Sequence, residues 1–197
     1  MRLLRCDTRL VWGDLDLPLE GMDSDWYGAV LSPPLGFTLA TDSANFWFIA
    51  TRQAPATCRP DAQTGSFAEG LWEYDVAELF LANPESGAYL EFNLAPNGAW
   101  WAAKFIAPRI HANNQPDFSS ITTSYREDGS DGKWRAAICV PVALLEKEIG
   151  YGAETTANVT AILNFPLQTF HSACKMPGAV PDFHQPESFG RLSVVRQ

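Results

Sequence analysis

Two glutamates, Glu78 and Glu91, stand among aromatic residues in a stretch that alternates polar and apolar side chains. The first arm runs from Trp72 through Leu81 and the second from Tyr89 through Leu94, followed by the turn Pro96-Asn97-Gly98. Successive side chains of a strand point to opposite faces. Ala77, Leu79 and Leu81 therefore share one face, continued on the second arm by Leu90, Phe92 and Leu94; this apolar face belongs in a core. The other face carries Trp72, Tyr74, Glu78 and Phe80, then Tyr89, Glu91 and Asn93. A solvated face has no need of so many aromatics, and an unpaired charge in a dry interior is costly. Aromatics mixed with a few fixed polar groups make a binding surface.

If the loop is residues 83–86, Ala82 pairs with Gly87 and Glu78 lies opposite Glu91. Like charges directly opposite destabilise a sheet. The compensation is Lys104 or Arg109 just downstream, a bound cation, a shared proton, or a ligand rich in hydroxyls. Plainer readings stand beside this one: two ordinary surface carboxylates on a half-exposed sheet, a structural Trp72 closing the sheet edge, and Arg109 in a surface ion pair.

Strand signals dominate the chain that must position these residues. Residues 45–53, 74–82, 88–94, 99–105, 119–126, 133–140, 158–165 and 190–195 read as strands, and 141–147 as a short helix with proline near its start. The proline-rich stretches 32–34 and 176–186 read as loops. Short strands between turn signals, with one minor helix, indicate an all-β antiparallel sandwich of the jelly-roll or immunoglobulin-like kind. No linker or repeat divides residues 1–197, which read as one domain.

Hydrophobic residues make up 46% of the chain and charged residues 19%, a globular balance. The net charge of −9 argues against nucleic acid or an anionic membrane as partner. No apolar run is long enough for a signal peptide or a spanning helix, so the expected compartment is the cytoplasm. The cysteines, Cys6, Cys58, Cys139 and Cys174, are scattered without metal-site spacing, and no metal ligands are assigned. The acidic glycine loop from Glu127 to Gly132 resembles a calcium loop but lacks the full ligand spacing, and no cofactor is expected.

The segments Leu71-Trp72-Glu73, Asp75-Val76, Glu78-Leu79-Phe80, Glu91-Phe92-Asn93 and Pro96-Asn97-Gly98 together resemble the family 9 carbohydrate-binding modules. Gly132 to Leu144, Asn164-Phe165 and Asp182 to Leu192 agree in order and spacing, so the resemblance spans residues 46–192. It implies a β-sandwich that binds sugars without turning them over, gripping them between two tryptophans while carboxylate, amide and basic side chains bond the hydroxyls. Trp72 matches the first tryptophan, Glu78 the carboxylate and Asn164 the amide. Leu167 stands where the second tryptophan belongs, and Phe170 is the nearest aromatic that could replace it. The expected ligand-binding set is Trp72, Glu78, Glu91, Asn93, Lys104, Arg109, Asn164 and Phe170, with no catalytic residue and a saccharide or polyol as partner. Aromatic faces pack on the C–H faces of pyranose rings, and carboxylates accept strong bonds from hydroxyls. Two alternatives remain: a glycoside hydrolase, which needs carboxylates across a cleft, and a haem site drawing on His171, Met176 and His184.

Overall fold

The computed structural model describes residues 1–13, 17–128, 132–164 and 166–197, with the backbone alone of Asp128. In chain order the strands are β1 (Arg2–Arg5), β2 (Glu20–Ser24), β3 (Val30–Thr41), β4 (Asn45–Arg52), β5 (Val76–Ala82), β6 (Tyr89–Leu94), β7 (Trp100–Ala107), β8 (Ile110–His111), β9 (Thr122–Asp128) and β10 (Lys133–Pro141). After the helix α1 (Val142–Ile149) come β11 (Thr156–Leu163), β12 (Thr169–Ser172), β13 (Gly190–Arg191) and β14 (Ser193–Arg196). About 46% of the chain is strand and 7% helix, which makes it an all-β protein.

Two sheets face each other. One has the order β14-β1-β3-β4-β10-β9 with β2 beside β3, and the other β12-β11-β5-β6-β7-β8 with β13 beside β11. Pairing is antiparallel except at β1, which runs parallel to both β3 and β14. The sandwich core forms where the apolar sides meet: Phe37, Leu39, Phe46 and Phe48 from the first sheet pack with Leu79, Leu81, Leu90 and Phe92 from the second. Alternation along β5 and β6 therefore sets the inner face as the sequence implies.

The segment Ser32-Pro33-Pro34, expected as a loop, lies inside β3. Proline removes a ladder donor, so it is confined to sheet edges and bulges. Here the prolines sit where β3 meets β2 across a register shift, before the pairing with β4 that starts at Leu35. Strands β1, β2, β8 and β12 carry too little apolar alternation to be seen in the sequence.

The register of β5 and β6 also departs from expectation. Ala82 pairs with Tyr89 and not with Gly87, so Glu78 lies opposite Asn93, and Glu91 opposite Phe80. Asn83 explains the longer loop: its backbone N–H bonds the Ala88 carbonyl and its carbonyl accepts from Gly87 N–H, closing the turn two residues later. A shift by two leaves every side chain on its face. The glutamates become diagonal neighbours, which relieves the direct like-charge opposition without separating them.

The turn from β6 to β7 depends on Gly98. Its φ is 80°, its N–H bonds the Ala95 carbonyl at 2.9 Å, and an added Cβ would lie 3.3 Å from Tyr125 Cβ. A side chain in the left-handed region costs about 1–2 kcal/mol. Gly98→Ala should lower unfolding free energy by that amount in urea titrations; an unchanged midpoint would show that the turn relaxes freely.

Candidate functional site

The outer face of the second sheet is not solvated. Glu78, Phe80, Tyr89, Glu91 and Asn93 all lie there, and all are buried. Loops and turns cover this face and leave a cavity of about 390 Å³. It is lined by Glu78, Phe80 and Glu91 of the sheet, by Trp72, Trp101 and Phe105, by Phe170, Phe183 and His184, and by Arg109 and His111.

Trp72 reaches the cavity from the 3-10 turn Leu71–Glu73 and not from the strand on which the sequence reading placed it. The Asp75 carboxylate fixes that turn: it accepts from Thr57 N–H at 3.0 Å and from the backbone N–H of Asn164. Asp75 thereby ties the Trp72 segment to the end of β11. Trp72 is 37% exposed and meets Trp101 edge-on, with ring centroids 5.5 Å apart. Half-exposed aromatic surface beside a cavity is unlike the fully buried aromatics of the core.

Arg109 follows Pro108 in the tight turn between β7 and β8, at φ 60°, in a place where glycine is usual. Its backbone N–H bonds Tyr89 Oη at 3.1 Å, and its guanidinium bonds Asp182 at 2.8 Å. Since Tyr89 Oη accepts from Arg109, its own hydrogen is free for His184 Nδ1, 2.8 Å away. His184 then carries its proton on Nε2, which faces a Glu91 oxygen at 3.7 Å. The His184 backbone is held by Asp182, and burial together with the nearby Arg109 charge brings the imidazole down to about 4, so it is neutral at pH 7.

Burial dominates the two carboxylates. It pushes Glu78 up to about 7 against the Thr160 hydroxyl, which donates at 2.7 Å, and the more distant Arg109 charge. Glu91 is raised well above the ordinary range by burial and then by the charge of Glu78. The pair holds a proton near neutrality because two adjacent buried carboxylates cannot readily both ionise. Asn93, wholly buried between Glu78 and Trp101 in the ladders, makes no side-chain hydrogen bond of ordinary length among the described residues, but its amide lies near enough to Glu91 to oppose the rise in that carboxyl's proton affinity. Buried amides are ordinarily satisfied.

The structure thus gathers Trp72, Glu78, Glu91, Arg109 and Phe170 at one cavity, with Asn93 on the same sheet face. It does not bring Lys104 there. Lys104 pairs with Leu90 on the core-facing side of β7, and its ammonium bonds Glu148 of α1 at 3.2 Å. Asn164 does not line the cavity either; its backbone bonds Asp75 and its amide oxygen accepts from Gln168. Leu167 is 76% exposed and no part of the cavity wall.

Eight cavity residues lie outside the sequence-based site: Phe80, Trp101, Phe105, His111, Ile162, Pro181, Phe183 and His184. Strand alternation carried the signal for two of them, because Trp101 and Phe105 share parity on β7 while Lys104 has the opposite one. Phe183 and His184 lie in a loop, where no periodicity exists to read. The Trp26 ring supports that wall, 6.0 Å from Phe183, while its backbone N–H bonds the Phe170 carbonyl.

Of the three residues named for haem, His184 alone lines the cavity. Both ring nitrogens of His171 are engaged, with the Ser24 carbonyl and Thr169; Met176 Sδ accepts from Asn158, and His184 Nδ1 is held by Tyr89. Among the described residues no cluster of three or more His, Cys, Asp or Glu could hold a metal. Residues 129–131 of the calcium-like loop, and Phe165 of the family resemblance, lie outside the described residues. No helix among the described residues is long and apolar enough to cross a membrane.

No family model matches the chain. It is 24% identical over 146 residues to the UPF0462 protein C4orf33 homolog of Danio rerio, covering 69% of each protein. It is 27% identical over 103 residues to an extracellular protein of Arthroderma benhamiae, covering 46% of each. Among solved structures it is similar to a candidate carbohydrate-binding protein from Bacteroides uniformis, with a TM-score of 0.67 at 14% identity over 98% of this chain and 99% of that one. A family 9 carbohydrate-binding module from Caldicellulosiruptor kristjanssonii is similar in its complex with cellotriose (TM-score 0.63, 12% identity, 100% and 94% of the chains). In its complex with glucose the TM-score is 0.60 at 12% identity, over 100% and 97% of the chains. The chain has the sandwich fold of the family 9 carbohydrate-binding modules.

Proposed function

We propose that the protein is a non-catalytic binder of a saccharide or similar polyol, held in the cavity over Glu78 and Glu91. The observation that carries this reading is a cavity lined by two buried carboxylates and by aromatic rings, the half-exposed Trp72 among them. A hydroxyl-rich ligand supplies donors to the carboxylates, while Trp72 offers the half-exposed face a pyranose ring needs. The shared fold with modules solved in complex with glucose and cellotriose supports the same ligand class. Hydrolysis is less well supported: the carboxylates are diagonal neighbours on adjacent strands of one sheet and do not stand across a cleft.

Each aromatic contact is worth about 0.5–1.5 kcal/mol beyond burial, or up to about tenfold in affinity. Trp72→Ala should weaken saccharide binding by about that factor or more while leaving the protein folded, because Trp72 is half exposed. Fluorescence titration of both proteins against a panel of mono- and oligosaccharides checks this, with circular dichroism reporting the fold. If the wild type binds nothing in the panel at millimolar concentration, or Trp72→Ala binds as tightly as wild type, the reading fails.

A further inference from the structure

Glu78 and Glu91 are 3% and 5% exposed. Among the described residues, Arg109 is the one arginine or lysine lining their cavity. Its guanidinium is largely solvent-exposed and bonded to Asp182. Of the groups beside the pair, Thr160 is a hydroxyl and His184 is neutral, and His111 lines the same cavity against the Phe105 ring. Asn93 sits on the same sheet face, opposite Glu78, but is wholly buried and not part of the cavity lining, its amide beside Glu91. Two buried carboxylates, diagonal neighbours on adjacent strands, therefore line a cavity whose other lining residues are largely aromatic.

Resting on the saccharide reading, we propose that the preferred ligand carries a primary amine, as an amino sugar does, with its ammonium seated between Glu78 and Glu91. An ammonium has three donors and no acceptor, so both carboxylates can accept from it. It supplies the positive charge the buried pair lacks, and charge-assisted bonds to carboxylates are about twice as strong as neutral ones. A neutral hydroxyl meets the same acceptors without neutralising them. In the empty site the pair retains a proton near neutral pH, and that proton leaves as the ammonium enters. Trp72 and Phe170 are then left for the ring.

The test compares glucosamine, glucose and N-acetylglucosamine at pH 7 by isothermal calorimetry in two buffers of different ionisation enthalpy. Glucosamine should bind about tenfold or more tightly than glucose, with proton release that shows as buffer-dependent heat, and acetylation should abolish the advantage. In Glu91→Gln, an isosteric change, the glucosamine-to-glucose ratio should fall toward one. Equal affinity for glucosamine and glucose, or a preference that survives Glu91→Gln, overturns the proposal and leaves saccharide binding standing. Binding of none of the three overturns both.

Discussion

Glu78→Gln should be more stable than the wild-type protein at pH 8, by roughly 3 kcal/mol, and about equally stable at pH 4.5. The sign follows from the raised affinity of Glu78 for its proton. Its ordinary value is 4.5 and burial brings it to about 7. The native state thus binds the proton more tightly than the unfolded chain does. Its favourable contribution is complete below about 4.5 and is lost as pH rises through about 7. A shift of that size corresponds to roughly 3 kcal/mol, and Glu78 is buried enough that solvent screening takes little of it. Glutamine keeps the shape, has no proton to lose, and relieves Glu91 of its nearest like charge. The pH dependence of wild type alone is less informative, because His184, which titrates near 4, pulls in the opposite direction. Urea unfolding of both proteins at pH 4.5 and 8 isolates the Glu78 contribution; identical differences at the two pH values would mean that Glu78 is solvated. A stabilising substitution that also weakens ligand binding is what a site maintained for function at a cost in stability should show.

Phe80→Ala should cost about 3–5 kcal/mol, the range for emptying a buried aromatic site, and lower the melting temperature by about 10 °C. Phe80 is 1% exposed although it lies on the outer face of its sheet. It packs against His184, Phe189 and Tyr89 with centroids 5.5, 5.6 and 6.3 Å apart. That second apolar cluster is what holds the covering loop down and gives β5 two dry faces. Removing Phe80 should loosen the loop that carries Phe183 and His184, so ligand affinity should fall together with stability. Scanning calorimetry of Phe80→Ala beside Trp72→Ala separates the two roles: the first should melt far below wild type and the second close to it. A small shift for Phe80→Ala would mean that the outer cluster contributes little.

The parts legible in the sequence are those set by period. Alternation along β5 and β6 placed Glu78, Phe80, Tyr89, Glu91 and Asn93 on one face, and an error of two residues in register left them there. The same alternation, carried into β7, separates Trp101 and Phe105 from Lys104. Lys104 was attractive for its charge alone, and Glu148 of a distant helix uses that charge. Segments without a period are where the sequence is silent. Trp72 stands in a 3-10 turn fixed by Asp75, and Phe183 and His184 hang from a loop fixed by Asp182 and Tyr89. Strand β3 was hidden by its prolines, which are compatible with a strand only because of the irregular pairing beside β2.

In the proposed site a saccharide occupies the cavity lined by Trp72, Phe170 and the carboxylate pair. Seven tryptophans give seven indole N–H signals in a nitrogen-edited NMR spectrum, and they are distributed as the test requires. Trp72 and Trp101 line the cavity, whereas Trp47 and Trp134 are buried in the other sheet. Titration with glucosamine and glucose should shift the Trp72 and Trp101 signals in a saturable way and leave those of Trp47 and Trp134 in place. Saturable shifts confined to other tryptophans, or no shift with any saccharide, would contradict a sugar site in this cavity.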